Sequence, residues 1–318
     1  MLRNILGGLV VLALIGAAVF WFVTEPKTVP ESALAAHTAN LENGKVMFNA
    51  GGCASCHQTP KQDDRTILGG GVELKSPFGT FFGPNISSDP DDGIGKWTDA
   101  QFVTAMQKGV GIRGEHLFPS FPYTSFQRIS QADALDLHAY LKTLPAVKGA
   151  APAHQLSFPY NIRRLVGGWK FLYLDGKPFT PDTAQSDEWN RGAYLVNGPG
   201  HCAECHSSRD LLGGVIQSTR FAGAPDLEGR GWVPNITQHG LKDWTADDIA
   251  YMLQTGSTPS GDSVGGTMTE VITNMAELPQ EDINAMAVYL KSLPAVADPP
   301  RPAAKAESAA PESAAPSP

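Results

Sequence analysis

Two pentapeptides, Cys53-Ala54-Ser55-Cys56-His57 and Cys202-Ala203-Glu204-Cys205-His206, contain all 4 cysteines of the chain. Cys-x-x-Cys-His is the attachment signature of c-type haem. Two intervening residues in a helical turn place the thiols at the two haem vinyl groups, and the next residue aims its imidazole at the iron. A shared structural zinc is the weaker reading. Its cysteine pairs are normally about 15–20 residues apart, whereas these are separated by well over a hundred and each runs straight into a histidine. With every cysteine used in a motif, a disulfide framework is excluded. The expectation is two covalently bound haem c groups, one on Cys53 and Cys56 with His57 as proximal ligand, the other on Cys202 and Cys205 with His206.

The sixth ligand decides what such an iron does. Methionine opposite histidine gives a six-coordinate, high-potential electron carrier, whereas an open position permits catalysis. In the second half the candidate is Met268, in Gly265-Gly266-Thr267-Met268-Thr269-Glu270-Val271. Its rivals are Met252 and Met286, which fall inside predicted helices, and Met275. The corresponding stretch of the first half, His116-Leu117-Phe118-Pro119-Ser120-Phe121-Pro122-Tyr123, has no methionine. Met106 reads as core, and Met47 lies on the helix before the motif. The first iron is then either His/His, with His57 and His116, or five-coordinate, with His116 a solvated loop residue. Arg65 and Arg209 open equivalent loops after the two motifs. Arginine pairs well with carboxylates, so their recurrence points to contacts with the haem propionates. Asn85-Ile86-Ser87 and Asn235-Ile236-Thr237 match the glycosylation triplet, but recurrence makes them structural loops beside the haem.

The elements around these residues recur as well. Arg65-Thr66-Ile67-Leu68-Gly69-Gly70 returns as Arg209-Asp210-Leu211-Leu212-Gly213-Gly214, and Pro84-Asn85-Ile86-Ser87 as Pro234-Asn235-Ile236-Thr237. Trp97-Thr98-Asp99 returns as Trp244-Thr245-Ala246, and Tyr140-Leu141-Lys142 through Val147 as Tyr289-Leu290-Lys291 through Val296. The order is kept at nearly constant offset, which means duplicated domains with one haem each; two copies are too few for a solenoid. Each copy predicts a helix before the motif (41–50 and 188–197). A second starts at Thr98 or Thr245 and stops at Gly109 or Gly256, with Thr98 and Gln101 spaced as a capping box. A last helix runs to Leu144 or Leu293 and stops at a proline. Between the copies, residues 148–187 are rich in aromatics and proline, unlike a polar flexible linker, and predict a connector packed across both domains. Residues 298–318 are Ala, Pro, Ser and Glu with almost nothing to bury, the composition of a disordered tail.

The chain has 318 residues, 42% of them hydrophobic, with a net charge of −8 and a pI near 5.5. That balance argues against a nucleic-acid partner. Arg3 precedes an apolar run from Ile5 to Val23, close to the roughly 20 residues needed to cross a bilayer. Trp21 sits at its outer end, as interfacial aromatics do, and no small-residue cleavage site follows closely. The reading is an uncleaved anchor over residues 1–27, with Arg3 on the cytoplasmic side of a bacterial cytoplasmic membrane and everything after Lys27 exported to the periplasm. Domain 1 is then 28–147 and domain 2 is 188–297.

The chain resembles the membrane-associated cytochrome c subunits of bacterial periplasmic dehydrogenases for alcohols, gluconate, sorbitol or aldehydes. The matching residues are Gly51-Gly52-Cys53-Ala54-Ser55-Cys56-His57, Pro77-Phe78-Gly79-Thr80, Pro84-Asn85-Ile86-Ser87, Gly93 to Trp97 and Phe118 to Tyr123. In the second half they are Arg191 to Val196, Gly200-His201-Cys202 and Gly265 to Val271. The resemblance implies an all-α fold of two tandem class I cytochrome c-like domains after an N-terminal transmembrane helix. It implies an axial role for Met268. The family often has methionine where this chain has Phe121, so it supplies no distal ligand for the first haem; many members carry three haems, and this chain has motifs for two. The implied function is electron relay from a periplasmic dehydrogenase or oxidase partner to a quinone, another cytochrome or a terminal oxidase, with the protein supplying binding, orientation and tuning of potential. Two alternatives stand beside it. One is a dihaem enzyme acting on peroxide, a sulfur compound or a small gas at an open first haem; the other is a fixed cytochrome subunit of a respiratory complex.

Overall fold

A computed structural model of the chain describes residues 1–226 and 231–301. All but the first residues of the expected tail, 298–318, lie outside the described residues. The fold begins with α1 (Leu2–Val23), none of whose residues is buried. The first repeat follows with α2 (Leu41–Ala50), α3 (Cys53–His57), β1 (Glu73–Ser76), β2 (Gly79–Phe82), α4 (Asp99–Lys108), α5 (Tyr123–Phe126) and α6 (Gln131–Thr143). The connector supplies β3 (Gln155–Leu156) and α7 (Arg163–Tyr173). The second repeat has α8 (Asp187–Asn197), a 3-10 turn at Cys202–Glu204, β4 (Ala224–Pro225), β5 (Trp232–Val233), α9 (Ala246–Thr255), α10 (Met268–Met275) and α11 (Gln280–Ser292).

The molecule is mostly helical, and beside the helices of the expected all-α fold it has short strands. β1, β2 and β3 form an antiparallel sheet with Glu73 opposite Phe82 and Gly79 opposite Leu156, and β4 pairs with β5. These strands satisfy the backbone of the long loops that follow each motif. Gly79 makes the sheet possible: its φ is 126°, and a Cβ there would stand 2.2 Å from the Gln155 carbonyl oxygen.

The helix ends follow their caps. Thr98 and Gln101 form the capping box of α4, and Thr245 and Asp248 that of α9. Gly109 and Gly256 close these helices at φ 57° and 74°, left-handed angles that glycine adopts without cost. In each repeat the first and last helices cross at a glycine. A Cβ on Gly44 of α2 would lie 2.3 Å from the Asp136 carbonyl oxygen of α6, and one on Gly192 of α8 would lie 1.8 Å from that of Ala285 in α11. Each crossing carries a carboxylate clamp. Asp136 accepts from the Asn40 backbone N–H and the Asn43 side chain, both at 2.7 Å. Asp282 takes Arg191 in two bonds of 2.7 and 2.8 Å.

The two repeats share one apolar core, to which Leu137 and Leu141 of α6 and Leu195, Ile249, Ile283 and Met286 of the second repeat belong. The connector is tied to both. Lys170 of α7 donates to the Lys108 carbonyl at 2.7 Å and to that of Gly109, capping the C-terminus of α4 where a cation is favoured. Trp169 Nε1 donates to the Leu212 carbonyl at 2.9 Å, and the Tyr173 hydroxyl donates to Asp210 at 2.7 Å.

Candidate cofactor-attachment sites

Each motif starts from a left-handed residue, Gly52 at φ 58° and His201 at φ 39°, which turns the chain out of the preceding helix. The proximal imidazoles are then fixed in the same way. His57 Nδ1 donates to the Pro84 carbonyl at 2.8 Å, and His206 Nδ1 donates to the Pro234 carbonyl at 2.8 Å. A carbonyl only accepts, so Nδ1 carries the proton and Nε2 keeps the lone pair a metal needs. Burial lowers the pKa of both rings against the opposing pull of the proline carbonyls, which keeps them neutral. Burial also pushes the Cys53 and Cys202 thiols up to about 12 and Cys56 to about 11. Among the described residues no group of three His, Cys, Asp or Glu side chains could hold a metal ion. The arrangement fits covalent haem c at both motifs.

The loop that presents each proline is clamped by the next residue. Asn85 Nδ2 donates to the carbonyls of Val147 and Gly149, both at 2.8 Å, and Asn235 Nδ2 donates to Val296 at 2.8 Å. Their Oδ1 atoms accept from Ser87 and Thr237 backbone N–H at 2.9 Å. Both asparagines are buried, so the triplets are structural. Asn235→Ala removes these bonds and leaves the Thr237 N–H without its acceptor. An expected loss of about 1–3 kcal/mol would show as a lower melting temperature, with a disturbed proximal-ligand signal for the second haem. An unchanged melt and spectrum would refute the clamp.

The distal side is less uniform. Met268 is the first residue of α10 and only partly buried, whereas Met275, at the end of the same helix, and Met286 belong to the core. Met252 lies on α9, partly buried against that core. Met47 and Met106 are core residues, and Phe121 packs on Phe126 with ring centroids 5.4 Å apart. His116, expected as a candidate ligand of the first iron, is engaged elsewhere. It is buried, and its Nε2 donates at 2.8 Å to the carbonyl of Thr24, the residue that ends α1.

The two arginines expected at the haem propionates have protein partners. Both make protein contacts rather than presenting free forks to propionates. Arg65 pairs with Glu270 at 2.8 Å and Asn274 at 3.0 Å, on α10 of the other repeat. Arg209 bonds Glu204 Oε2, the Glu204 carbonyl and the Gly213 carbonyl, each at 2.7 Å. Around them lies an arrangement the sequence reading missed. Ser55, third residue of the first motif, accepts from Asn274 Nδ2 of α10 at 2.8 Å. Glu204, third residue of the second motif, accepts from the hydroxyls of Thr124 and Ser125 in α5, both at 2.8 Å. Each motif thus docks on the distal segment of the other repeat. The one signal for this in the sequence is that the third motif residue is polar in both copies.

Residues 41–145 match the cytochrome c family. The chain is 45% identical over 298 residues to a diheme cytochrome c-type protein of Cereibacter sphaeroides, covering 93% of this chain and 100% of that one. It is 36% identical over 293 residues to the fructose dehydrogenase cytochrome subunit of Gluconobacter japonicus, covering 91% of this chain and 58% of the subunit. To the cytochrome c subunit of a quinone alcohol dehydrogenase of Komagataeibacter europaeus it is 36% identical over 276 residues, covering 82% of this chain and 57% of the subunit. The chain therefore spans somewhat more than half the length of these two subunits.

Proposed function

Because this chain belongs to the dihaem c-type cytochromes, we propose that it relays electrons from a dehydrogenase to the respiratory chain through two haem c groups held in tandem class I cytochrome c-like domains. Haem c, when bound, supplies one-electron exchange between ferric and ferrous iron. The chain supplies the rest. Cys53, Cys56, Cys202 and Cys205 hold the groups permanently, Pro84 and Pro234 orient the two imidazoles, and Met268 provides the distal ligand of the second site. The observation that carries the reading is the reciprocal docking of the motifs. Ser55 on Asn274 and Glu204 on Thr124 and Ser125 bring the two attachment edges to one interface, as a relay between the two groups requires.

Membrane attachment through α1 extends this reading. The helix is 22 residues long, apolar and unburied, and Arg3 at its start supports a cytoplasmic N-terminus with the attachment sites in the periplasm. The relatives that are subunits of fructose and alcohol dehydrogenases support an enzyme of that class as the electron donor.

The test is a potentiometric titration of the holoprotein combined with exposure to carbon monoxide. Two one-electron waves are expected from a relay. His116 is held on Thr24 and Met47 and Met106 are core, which favours an open position on the first iron; carbon monoxide is then expected to bind one haem per chain. Rapid turnover of peroxide or a sulfur compound at that haem would overturn the relay reading in favour of an enzyme.

A further inference from the structure

Outside Met1 and α1, the large apolar side chains left exposed among the described residues are concentrated in one place. All but Leu41, Ile112 and Tyr251 lie on the connector or on the Leu211–Leu212 loop tied to it. Phe158, Phe171 and Leu211 are 79%, 71% and 98% exposed. The patch is continuous: Phe78 packs on Tyr160 with centroids 4.7 Å apart, and Gly213 stands against Phe78.

This patch begins where the anchor ends. Arg164 of α7 lies over the Trp21 ring at 4.1 Å and donates to the Trp21 carbonyl. Gly168 faces Phe20 so closely that a Cβ there would be 3.1 Å from the ring. Arg163 donates to the His116 carbonyl at 2.9 Å, and His116 in turn holds Thr24. The last turn of α1 and α7 are therefore joined directly at Phe20 and Trp21 and through His116 at Thr24, and α7 sits at the level where the span leaves the bilayer. Its composition suits that level. Apart from the buried Lys170, the chain from Phe158 to Tyr173 has Arg163 and Arg164 and no acidic residue, in a protein of net charge −8. Aromatic and aliphatic side chains interleaved with basic ones are the pattern of segments that lie in the headgroup region of anionic bilayers.

We propose that the face formed by Phe158, Ile162, Leu165, Phe171, Leu172 and Leu211 is seated in the outer interface of the membrane that α1 spans. The proposal rests on the anchor reading above. It makes the protein a two-point membrane attachment. The opposite side of α7 holds α4 through Lys170 and the Arg209 loop through Asp210, so seating the connector fixes both attachment sites in height and tilt above the bilayer.

The test uses full-length holoprotein in nanodiscs of phosphatidylcholine and phosphatidylglycerol, with both irons oxidised so that oxygen leaves their state unchanged. The native cysteines are consumed by haem, so Leu172→Cys, Leu211→Cys, Tyr251→Cys and Val10→Cys each offer one site for a nitroxide label. Oxygen collects in the bilayer and a nickel chelate stays in water. The oxygen-to-nickel accessibility ratio is expected to be several-fold higher at 172 and 211 than at 251, and highest at 10. A bilayer value at 10 with water-like values at 172 and 211 would overturn the seating and leave the anchor standing. A water-like value at 10 would overturn the anchor and the seating together. Labels at 172 and 211 shielded from both reagents would overturn the bilayer as occupant in favour of protein contact.

Discussion

Met268→Ala holoprotein is expected to lose the low-spin ferric signal of its second haem, while the first haem keeps its spectrum. The potential of the affected haem should fall by a sizeable part of the roughly 0.8 V range that axial ligands command, because a thioether opposite histidine favours the ferrous state. The control is Met275→Ala on the same helix. Met275 is in the core, so its truncation is expected to cost about 2–5 kcal/mol of stability and to leave the spectrum of both haems intact. EPR of the two oxidised variants decides the matter. Loss of the low-spin signal in the Met275 variant alone would transfer the ligand role to that residue.

Glu204→Ala strikes the junction between the repeats. The wild-type carboxylate pairs with Arg209 and accepts from Thr124 and Ser125, with 14% of its side chain exposed and 23% of that of Arg209. Removing it leaves a mostly buried guanidinium with two carbonyls but no opposite charge, and two hydroxyls without their acceptor, at an expected cost of about 3 kcal/mol. Exchange of electrons between the haems should slow as the docking of the second motif on α5 loosens. The pH dependence has a definite sign. Burial raises the Glu204 carboxyl, but the Arg209 charge and the hydrogen bonds from Arg209, Thr124 and Ser125 outweigh it, and the group is held below its ordinary 4.5. A carboxyl depressed by folding stabilises the folded state above its unfolded pKa, and this contribution is lost as pH falls through the folded value. Thermal melts from neutral to acid pH should therefore fall more steeply for wild type than for Glu204→Gln. Superimposable profiles would show that Glu204 carries no such linkage.

Much of this was legible in the residues. The helices flanking the motifs end where Thr98, Gly109, Thr245 and Gly256 end them, because capping is a contact between near neighbours. The repeated Pro-Asn-Ile-Ser/Thr pointed to a structural loop, and Asn85 and Asn235 hold one. The contacts that could not be read share a cause. Arg65 recurs as Arg209 because both serve the junction, but the partner of Arg65 lies 205 residues away, and no local pattern announces it. His116 read as a loop residue free to reach the iron or the solvent because its partner, Thr24, lies 92 residues back at the end of α1. The strands escaped because they are short and held by cross-strand backbone bonds rather than by an alternating apolar face.

The junction pairs equivalent surfaces, as an isologous dimer does, yet fills them with unlike side chains. Two copies of the first half placed the same way would bring Arg65 and Ser55 to Thr124 and Ser125, with no carboxylate for the guanidinium. Two copies of the second would set Glu204 beside Glu270, two acids for each Arg209. Each half therefore fits its sibling better than it would fit a second copy of itself.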